Sequence, residues 1–204
     1  MCELICVTNR KIFYDTFGIT ASFAGRVREI LSEGIRVILR EKDLSEDEYY
    51  RLLCEVGDRR VTAHSFPDAA RRFGCTSLHM PLNALSSSDV SEFETVGCSV
   101  HSAEQAVLAY KYGATYLTAG HIFVTDCKKG LAPRGTELIK DILCVTSLPV
   151  YAIGGITPQN AGMTAEAGAA GVCVMSGFMK CADPAELADK FRTVFRNNGQ
   201  KSNI

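Results

Sequence analysis

The sequence lacks several features that would assign it quickly to a class of protein. No C-x-x-C pair occurs among its nine cysteines, so neither a zinc knuckle nor a thioredoxin-type redox pair is present. Neither sign of charge predominates: 22 basic residues face 23 acidic ones, and this balance disfavours non-specific binding to nucleic acid. No apolar run approaches the roughly 20 residues that span a bilayer, which predicts that the chain has no membrane segment.

Features that divide or target a chain are also missing. No low-complexity segment, charge block or Pro/Gly/Ser-rich linker interrupts the 204 residues, which predicts a single domain over 1–204. The first basic residues follow the first apolar run, the reverse of a signal peptide. Most cysteines lie in apolar runs, where a free thiol packs as a small hydrophobe. We therefore expect reduced cysteines in a cytoplasmic protein.

What the sequence does contain is a repeated unit, in which a short apolar run is followed by an amphipathic stretch. Runs that are apolar on both faces are typical of parallel strands buried on both sides. Eight of them in about 200 residues predict a closed (β/α)8 TIM barrel of the α/β class. The alternative is a doubly wound open sheet, which normally carries a glycine-rich first turn that LICVTNRK lacks. The runs begin at Leu4, Arg36, Arg60, Ser77, Thr95, Thr115, Pro149 and Gly171.

Four polar residues precede the helical stretches and are predicted N-caps, because their side chains can accept a hydrogen bond from a first-turn N–H group. They are Ser45, Ser102, Thr157 and Asp183, and the last two are followed by proline, which suits the first helical position.

The carboxyl ends of the strands should bring polar residues together at one mouth of the barrel, where such folds hold their active sites. IGGITP after strand 7 and VMSG after strand 8 are the clearest signal, because this fold binds phosphate on those two loops. The alternative is that Gly154 and Gly155 only permit a tight turn. Arg40 and Lys42 flank Glu41 after strand 2 and suit a carboxylate or phosphate, unless they form a solvated charge run. Glu41 is predicted to be a structural partner of one of them.

A histidine follows strand 6, and its unperturbed pKa of about 6.5 suits proton transfer in both directions near neutral pH. This residue, His121, is a candidate acid–base group, and the alternative is a satisfied core histidine. Cys127 stands beside Lys128, which favours a low thiol pKa, but no Cys-His arrangement supports a nucleophile.

Five strings in this order resemble the thiamine phosphate synthase superfamily, and within it they look like the thiazole tautomerase (TenI-like) branch. They are LREK, SVHS, GHIFVTDCKKG, IGGITP and VMSG, and the match spans nearly the whole chain. The strand 6 string is the specific one. Where synthases have the glutamine of Q-x-R-E-K this chain has Ile38, and where they have magnesium-binding aspartates it has His64-Ser65 and Ala84. The resemblance thus predicts that synthase activity is absent.

The resemblance implies a metal-independent isomerase without a cofactor, which aromatises a carboxylated thiazole phosphate by moving a proton between two carbons. It implies His121 as the catalytic group, His64 as a possible second one, and a small-molecule thiazole phosphate as partner, with a homodimer as a family expectation. Two alternatives stay open: a thiamine phosphate synthase, and a non-catalytic regulatory barrel that binds the ligand. The implied substrate contacts are Arg40, Lys42, His64, Ser99, Thr125 and Lys128, and the implied phosphate contacts are backbone groups near Gly154, Gly155, Met175 and Ser176.

Overall fold

A computed structural model describes residues 3–128 and 130–201, excepting the side chains of 198–201. Eight parallel strands follow one another in sequence order and close into a barrel through pairing of the first with the last. Each apolar run of the sequence supplies one strand, so the predicted TIM barrel is confirmed. The strands are β1 (Glu3–Val7), β2 (Arg36–Leu39), β3 (Thr62–His64), β4 (Ser77–Pro81), β5 (Thr95–Val100), β6 (Tyr116–Gly120), β7 (Val150–Ile153) and β8 (Gly171–Val174).

Helices connect consecutive strands on the outside of the barrel, as parallel strands require. Two of them, α1 (Arg10–Phe17) and α2 (Phe23–Ser32), separate β1 from β2. The others are α3 (Glu46–Val56), α4 (Pro67–Phe73), α5 (Leu82–Leu85), α6 (Ala103–Lys111), α7 (Glu137–Leu143), α8 (Ala161–Glu166), α9 (Ser176–Lys180) and α10 (Pro184–Lys201), with a 3-10 turn (Asp126–Lys128) before α7.

Three of the four predicted N-caps are confirmed. Ser45 forms a full capping box with Glu48, Ser102 accepts from the third helical N–H group, and Asp183 accepts from two N–H groups of α10. The prediction for Thr157 is wrong, because α8 begins only after Asn160. The Asn160 side chain accepts from the N–H of Thr157 at 2.8 Å and donates to the carbonyl of Gly155 at 2.8 Å. It closes a turn that competes with an earlier helix start.

The apolar core has two parts. The larger lies between the strands and the helices, and the smaller fills the barrel interior around Ile5, Ile38 and Cys173. All eight cysteines among the described residues are free, and four of them are buried. Within residues 3–128 and 130–201, no helix combines the length and hydropathy that crossing a bilayer requires. That 1–204 form one domain stays a prediction.

Candidate active site

A cavity of about 1020 Å³ opens at the carboxyl ends of the strands. Its volume is slightly above the range of about 300–1,000 Å³ that is usual for small-molecule sites. The structure brings every predicted site residue to this one cavity. They are Arg40, Lys42, His64, Ser99, His121, Thr125, Lys128, Gly154, Gly155, Met175 and Ser176.

Three cations meet at the mouth. Arg40 and Lys42 follow β2, whereas Lys128 lies on the loop after β6, four strands away in the closed barrel order. The pKa of Lys42 is lowered by partial burial, and then by the positive charges of Arg40 and Lys128. Arg40, Lys42 and Lys128 thus line the same cavity from opposite sides of the barrel. Because like charges gathered in this way repel, a bound anion would stabilise their arrangement.

Glu41 has a structural role different from the one predicted. It is buried, with 3% of its surface exposed. It accepts hydrogen bonds from the Thr8 hydroxyl at 2.6 Å and from the N–H of Arg10 at 2.9 Å, and burial raises its pKa. Its partners are thus Thr8 and Arg10, and neither Arg40 nor Lys42 pairs with it. Since Thr8 also accepts from the N–H of Arg40 at 2.9 Å, this network fixes the end of β2 and leaves both cations at the cavity.

The two glycines after β7 are required by a close approach of the loop after β6. Gly154 and Gly155 have φ of +99° and +67°. A Cβ at Gly154 would lie 2.8 Å from the Cα of His121, and one at Gly155 would lie 2.9 Å from the Cβ of Phe123. The N–H of Phe123 also donates to the carbonyl of Gly154 at 3.0 Å. The positive φ values and the close approach of the other loop account for these glycines, and phosphate binding by the same loop stays a prediction.

His121 follows β6 directly and lies at the cavity with 9% of its surface exposed. Its Nε2 is 3.4 Å from the carbonyl oxygen of Leu131, on the return of the same loop. The neighbouring His101 binds the carbonyl of Gly120 through Nδ1 at 2.6 Å, which steadies the strand end. His121 is thus placed to exchange a hydrogen bond with a ligand, and its role as proton carrier remains a prediction.

The floor of the cavity holds a polar network that the sequence analysis did not predict. His79 on β4 binds the Tyr116 hydroxyl through Nδ1 and the Ser99 hydroxyl through Nε2, both at 2.9 Å. Thr118 donates to the same Ser99 oxygen at 3.2 Å. Burial lowers the pKa of His79 to about 3, so its imidazole is neutral at physiological pH. One sequence signal could have indicated this network. Ser99 lies two residues from Gly97 and Thr118 two residues from Tyr116, and alternate residues of a strand share a face, so these residues face the barrel interior together.

His64 also lies at this floor. Its ring stacks on that of His79 with centroids 5.7 Å apart, and its Nδ1 is 2.7 Å from the Ser65 hydroxyl. Burial lowers the pKa of His64 well below its usual value, and the nearby His79, Arg40 and Lys42 lower it further. It therefore presents a neutral ring to the cavity.

A TIM barrel whose cavity lies at the carboxyl ends of the strands, with three cations lining that cavity, has the architecture of a barrel enzyme. Residues 4–178 match the family model described as thiamine monophosphate synthase (TMP-TENI). The chain belongs to this family.

Two curated relatives and one solved structure are similar to this chain. The chain is 32% identical to the thiamine-phosphate synthase of Chlorobium limicola over 84% of this chain and 87% of the relative. It is 34% identical to that of Methanospirillum hungatei over 80% and 85%. A solved structure, the thiamine phosphate pyrophosphorylase from Pyrococcus furiosus, superposes with a TM-score of 0.76 at 25% identity and 96% coverage of both chains.

These relatives contradict the prediction of a thiazole tautomerase, and with it the prediction that synthase activity is absent. That prediction weighed one loop string and a few replaced side chains. The relatives match most of the chain, and two of them are named thiamine-phosphate synthases and the third a thiamine phosphate pyrophosphorylase.

The magnesium that the synthase pattern implies does not fit the residues present. His64 and Ser65 at the end of β3 bind each other, and Ala84 lies in α5. Over residues 3–128 and 130–201, no three His, Cys, Asp or Glu side chains gather in a group that could hold a metal ion. Asp126 is the one carboxylate among the described residues that line the cavity. We therefore derive no step through a metal.

Proposed function

We propose that this protein is a thiamine-phosphate synthase, a transferase that joins a pyrimidine diphosphate to a thiazole phosphate and releases pyrophosphate. The observation that carries the proposal is that two separate groups of residues, each of a kind suited to anions, line one cavity. One is the cation group of Arg40, Lys42 and Lys128, and the other is the pair of small-residue loops after β7 and β8. A reaction between two phosphorylated substrates needs two such regions.

The size of the cavity supports the same proposal. At about 1020 Å³ it exceeds what a single phosphorylated five-membered ring requires, and a site of this size accommodates two small substrates side by side. The names of the relatives, which are thiamine-phosphate synthases, agree with this capacity.

The proposed chemistry forms one bond and breaks another. The carbon–oxygen bond to the diphosphate breaks with its electron pair on the departing oxygen, and the lone pair of the thiazole nitrogen forms the new carbon–nitrogen bond. Negative charge grows on the diphosphate as it leaves, so cations fixed beforehand lower the barrier. Arg40, which can bind two oxygens at once, and the point charges of Lys42 and Lys128 supply that stabilisation.

No proton transfer is needed to alkylate a ring nitrogen that carries a lone pair. In this reaction His121 acts as a hydrogen-bonding group beside the substrates and not as a proton carrier. The loops that carry Gly154, Gly155, Met175 and Ser176 would hold the phosphate of the thiazole through backbone N–H groups.

Several finer points of the sequence analysis remain part of the proposal. The string GHIFVTDCKKG supports a TenI-like ancestry for the loop after β6, which concerns descent and not the reaction. A single domain over 1–204, a homodimer and a cytoplasmic location are likewise proposed on the family resemblance and the composition.

The test is to incubate the purified protein with the pyrimidine diphosphate and the thiazole phosphate, and to measure thiamine phosphate and pyrophosphate. We expect the two products in equal amounts. Lys42→Met should weaken binding of inorganic pyrophosphate roughly tenfold, because one charged hydrogen bond is lost. Lys140→Met is the matched control, since Lys140 lies on α7 and pairs with Glu137.

The assay is run with excess Mg²⁺ and again with a chelator. If neither condition yields thiamine phosphate while the thiazole phosphate still binds, the proposed function is wrong. If Lys140→Met weakens pyrophosphate binding as much as Lys42→Met does, the cation group is not the diphosphate region.

A further inference from the structure

The polar network on the cavity floor has a defined direction of hydrogen bonding. His79 and Tyr116 are each about 2% exposed, so their polar atoms depend on protein partners. Among the described residues the Tyr116 hydroxyl has a single partner, Nδ1 of His79. Burial raises the pKa of Tyr116, so its hydroxyl group stays protonated. The hydroxyl proton has a hydrogen-bond acceptor only if it is donated to Nδ1 of His79.

This donation fixes the tautomer of the imidazole. If Nδ1 accepts from Tyr116 in a neutral ring, the proton of the imidazole must sit on Nε2. The Nε2–H group then donates to the Ser99 hydroxyl oxygen, which at 2.9 Å is closer to Nε2 than the Thr118 hydroxyl oxygen at 3.5 Å. Thr118 donates to the same oxygen at 3.2 Å. Both lone pairs of the Ser99 hydroxyl are therefore occupied from the protein side.

We infer that Tyr116 and His79 are positioning residues that hold the Ser99 hydroxyl as a hydrogen-bond donor toward the bound substrate. With both lone pairs used, Ser99 has only its proton left to offer, and the residue is half-buried at the cavity. Its partner on the substrate must be an acceptor atom. Neither positioning residue needs to touch the substrate.

The sequence makes room for this network at a third strand. A Cβ at Gly97 on β5 would overlap both the Tyr116 ring and the imidazole of His79. The glycine is therefore a condition for the hydrogen bond between them. Its φ is not in the left-handed region, so close approach and not backbone conformation explains it.

The first experiment reads the tautomer directly in the protein without ligand. The chain has four histidines, so ¹⁵N spectra of the imidazole nitrogens are simple, and His79→Gln identifies the signals of His79. We expect His79 to be neutral with its proton on Nε2. A proton on Nδ1, or a mixture of both tautomers in the wild-type protein, would overturn the inference.

The second experiment measures binding of the thiazole phosphate by calorimetry. Ser99→Ala should weaken binding roughly tenfold through the loss of one hydrogen bond. Tyr116→Phe removes the fixed donor, so both tautomers of His79 should populate and binding should weaken severalfold. Added to Ser99→Ala, Tyr116→Phe should have no further effect.

Tyr151→Phe is the matched control, because Tyr151 packs edge-on against Tyr116 but its hydroxyl donates to Glu3 at the other end of the barrel. Equal losses from Tyr116→Phe and Tyr151→Phe would overturn the inference, as would fully additive losses in the double variant. The inference rests on the proposed function only in its choice of probe. Failure of the wild-type protein to bind the thiazole phosphate would count against that function, whereas the tautomer of the free protein decides the inference itself.

Discussion

Replacement of Gly154 by alanine tests whether the glycine pair after β7 exists to admit the loop that carries His121. Gly154 has a φ of +99°, and its carbonyl accepts from the N–H of Phe123 at 3.0 Å. An added Cβ would lie 2.8 Å from the Cα of His121 and 3.4 Å from the N of Ile122. These neighbours are backbone atoms, so they cannot move aside by a change of rotamer.

The expected cost has two parts. A positive φ costs an L-residue about 1–2 kcal/mol, and forcing a methyl group into a filled space costs about 1–3 kcal/mol. We therefore expect Gly154→Ala to lower the free energy of unfolding by about 2–5 kcal/mol and to displace His121.

Gly34→Ala is the matched control, because Gly34 also has a positive φ, +70°, but a Cβ added there would meet no atom within 4 Å. Only the backbone part of the cost applies at that position, about 1–2 kcal/mol. Equilibrium urea denaturation measures both variants. The explanation from close approach is refuted if Gly154→Ala costs no more than Gly34→Ala.

Three further predictions concern buried or charged groups. Tyr49→Phe should cost about 2–4 kcal/mol in urea denaturation, because the buried hydroxyl bridges main-chain groups of β2 and β3, whereas Tyr50→Phe should cost little; equal costs would contradict this. Burial raises the pKa of Glu41 above 4.5, so the free energy of unfolding should fall as pH rises from about 4.5 through that raised pKa. Glu41→Gln should reduce this dependence of the free energy of unfolding on pH, and an unchanged dependence would exclude Glu41 as its source. Lys128→Met should raise the pKa of Lys42, as measured by NMR titration, and should reduce the salt dependence of pyrophosphate binding. If neither quantity changes, Lys128 and Lys42 do not interact.

The barrel was predictable because its signal is local and repeated. Each strand is a short run that is apolar on both faces, and eight runs in about 200 residues leave few other arrangements. The N-caps at Ser45 and Asp183 were predictable for a similar reason, since a cap bonds only to the next few N–H groups. Thr157 failed because Asn160, three residues on, closes a competing turn.

The sequence predicted which residues line the site but not which of them are hydrogen-bonded to each other. Strand ends identify which residues reach the mouth, and all those predicted do line the cavity. Glu41 was assigned the wrong partners because Thr8 is 33 positions away in sequence and becomes a neighbour only through pairing of β1 with β2. The predicted reaction is wrong because it depends on a few substituted side chains, whereas relatives named as synthases match most of the chain.

The sequence by itself determined the barrel, the positions of its strands and the polar residues at its mouth, because periodicity, caps and strand ends depend on near neighbours. Only the tertiary structure decided which polar groups meet. Closing the barrel places Lys128 near Lys42 and joins His79 to Ser99 and Tyr116 from three strands. Contacts of this kind depend on register and on the space left by Gly97, and neither is visible until the strands are paired.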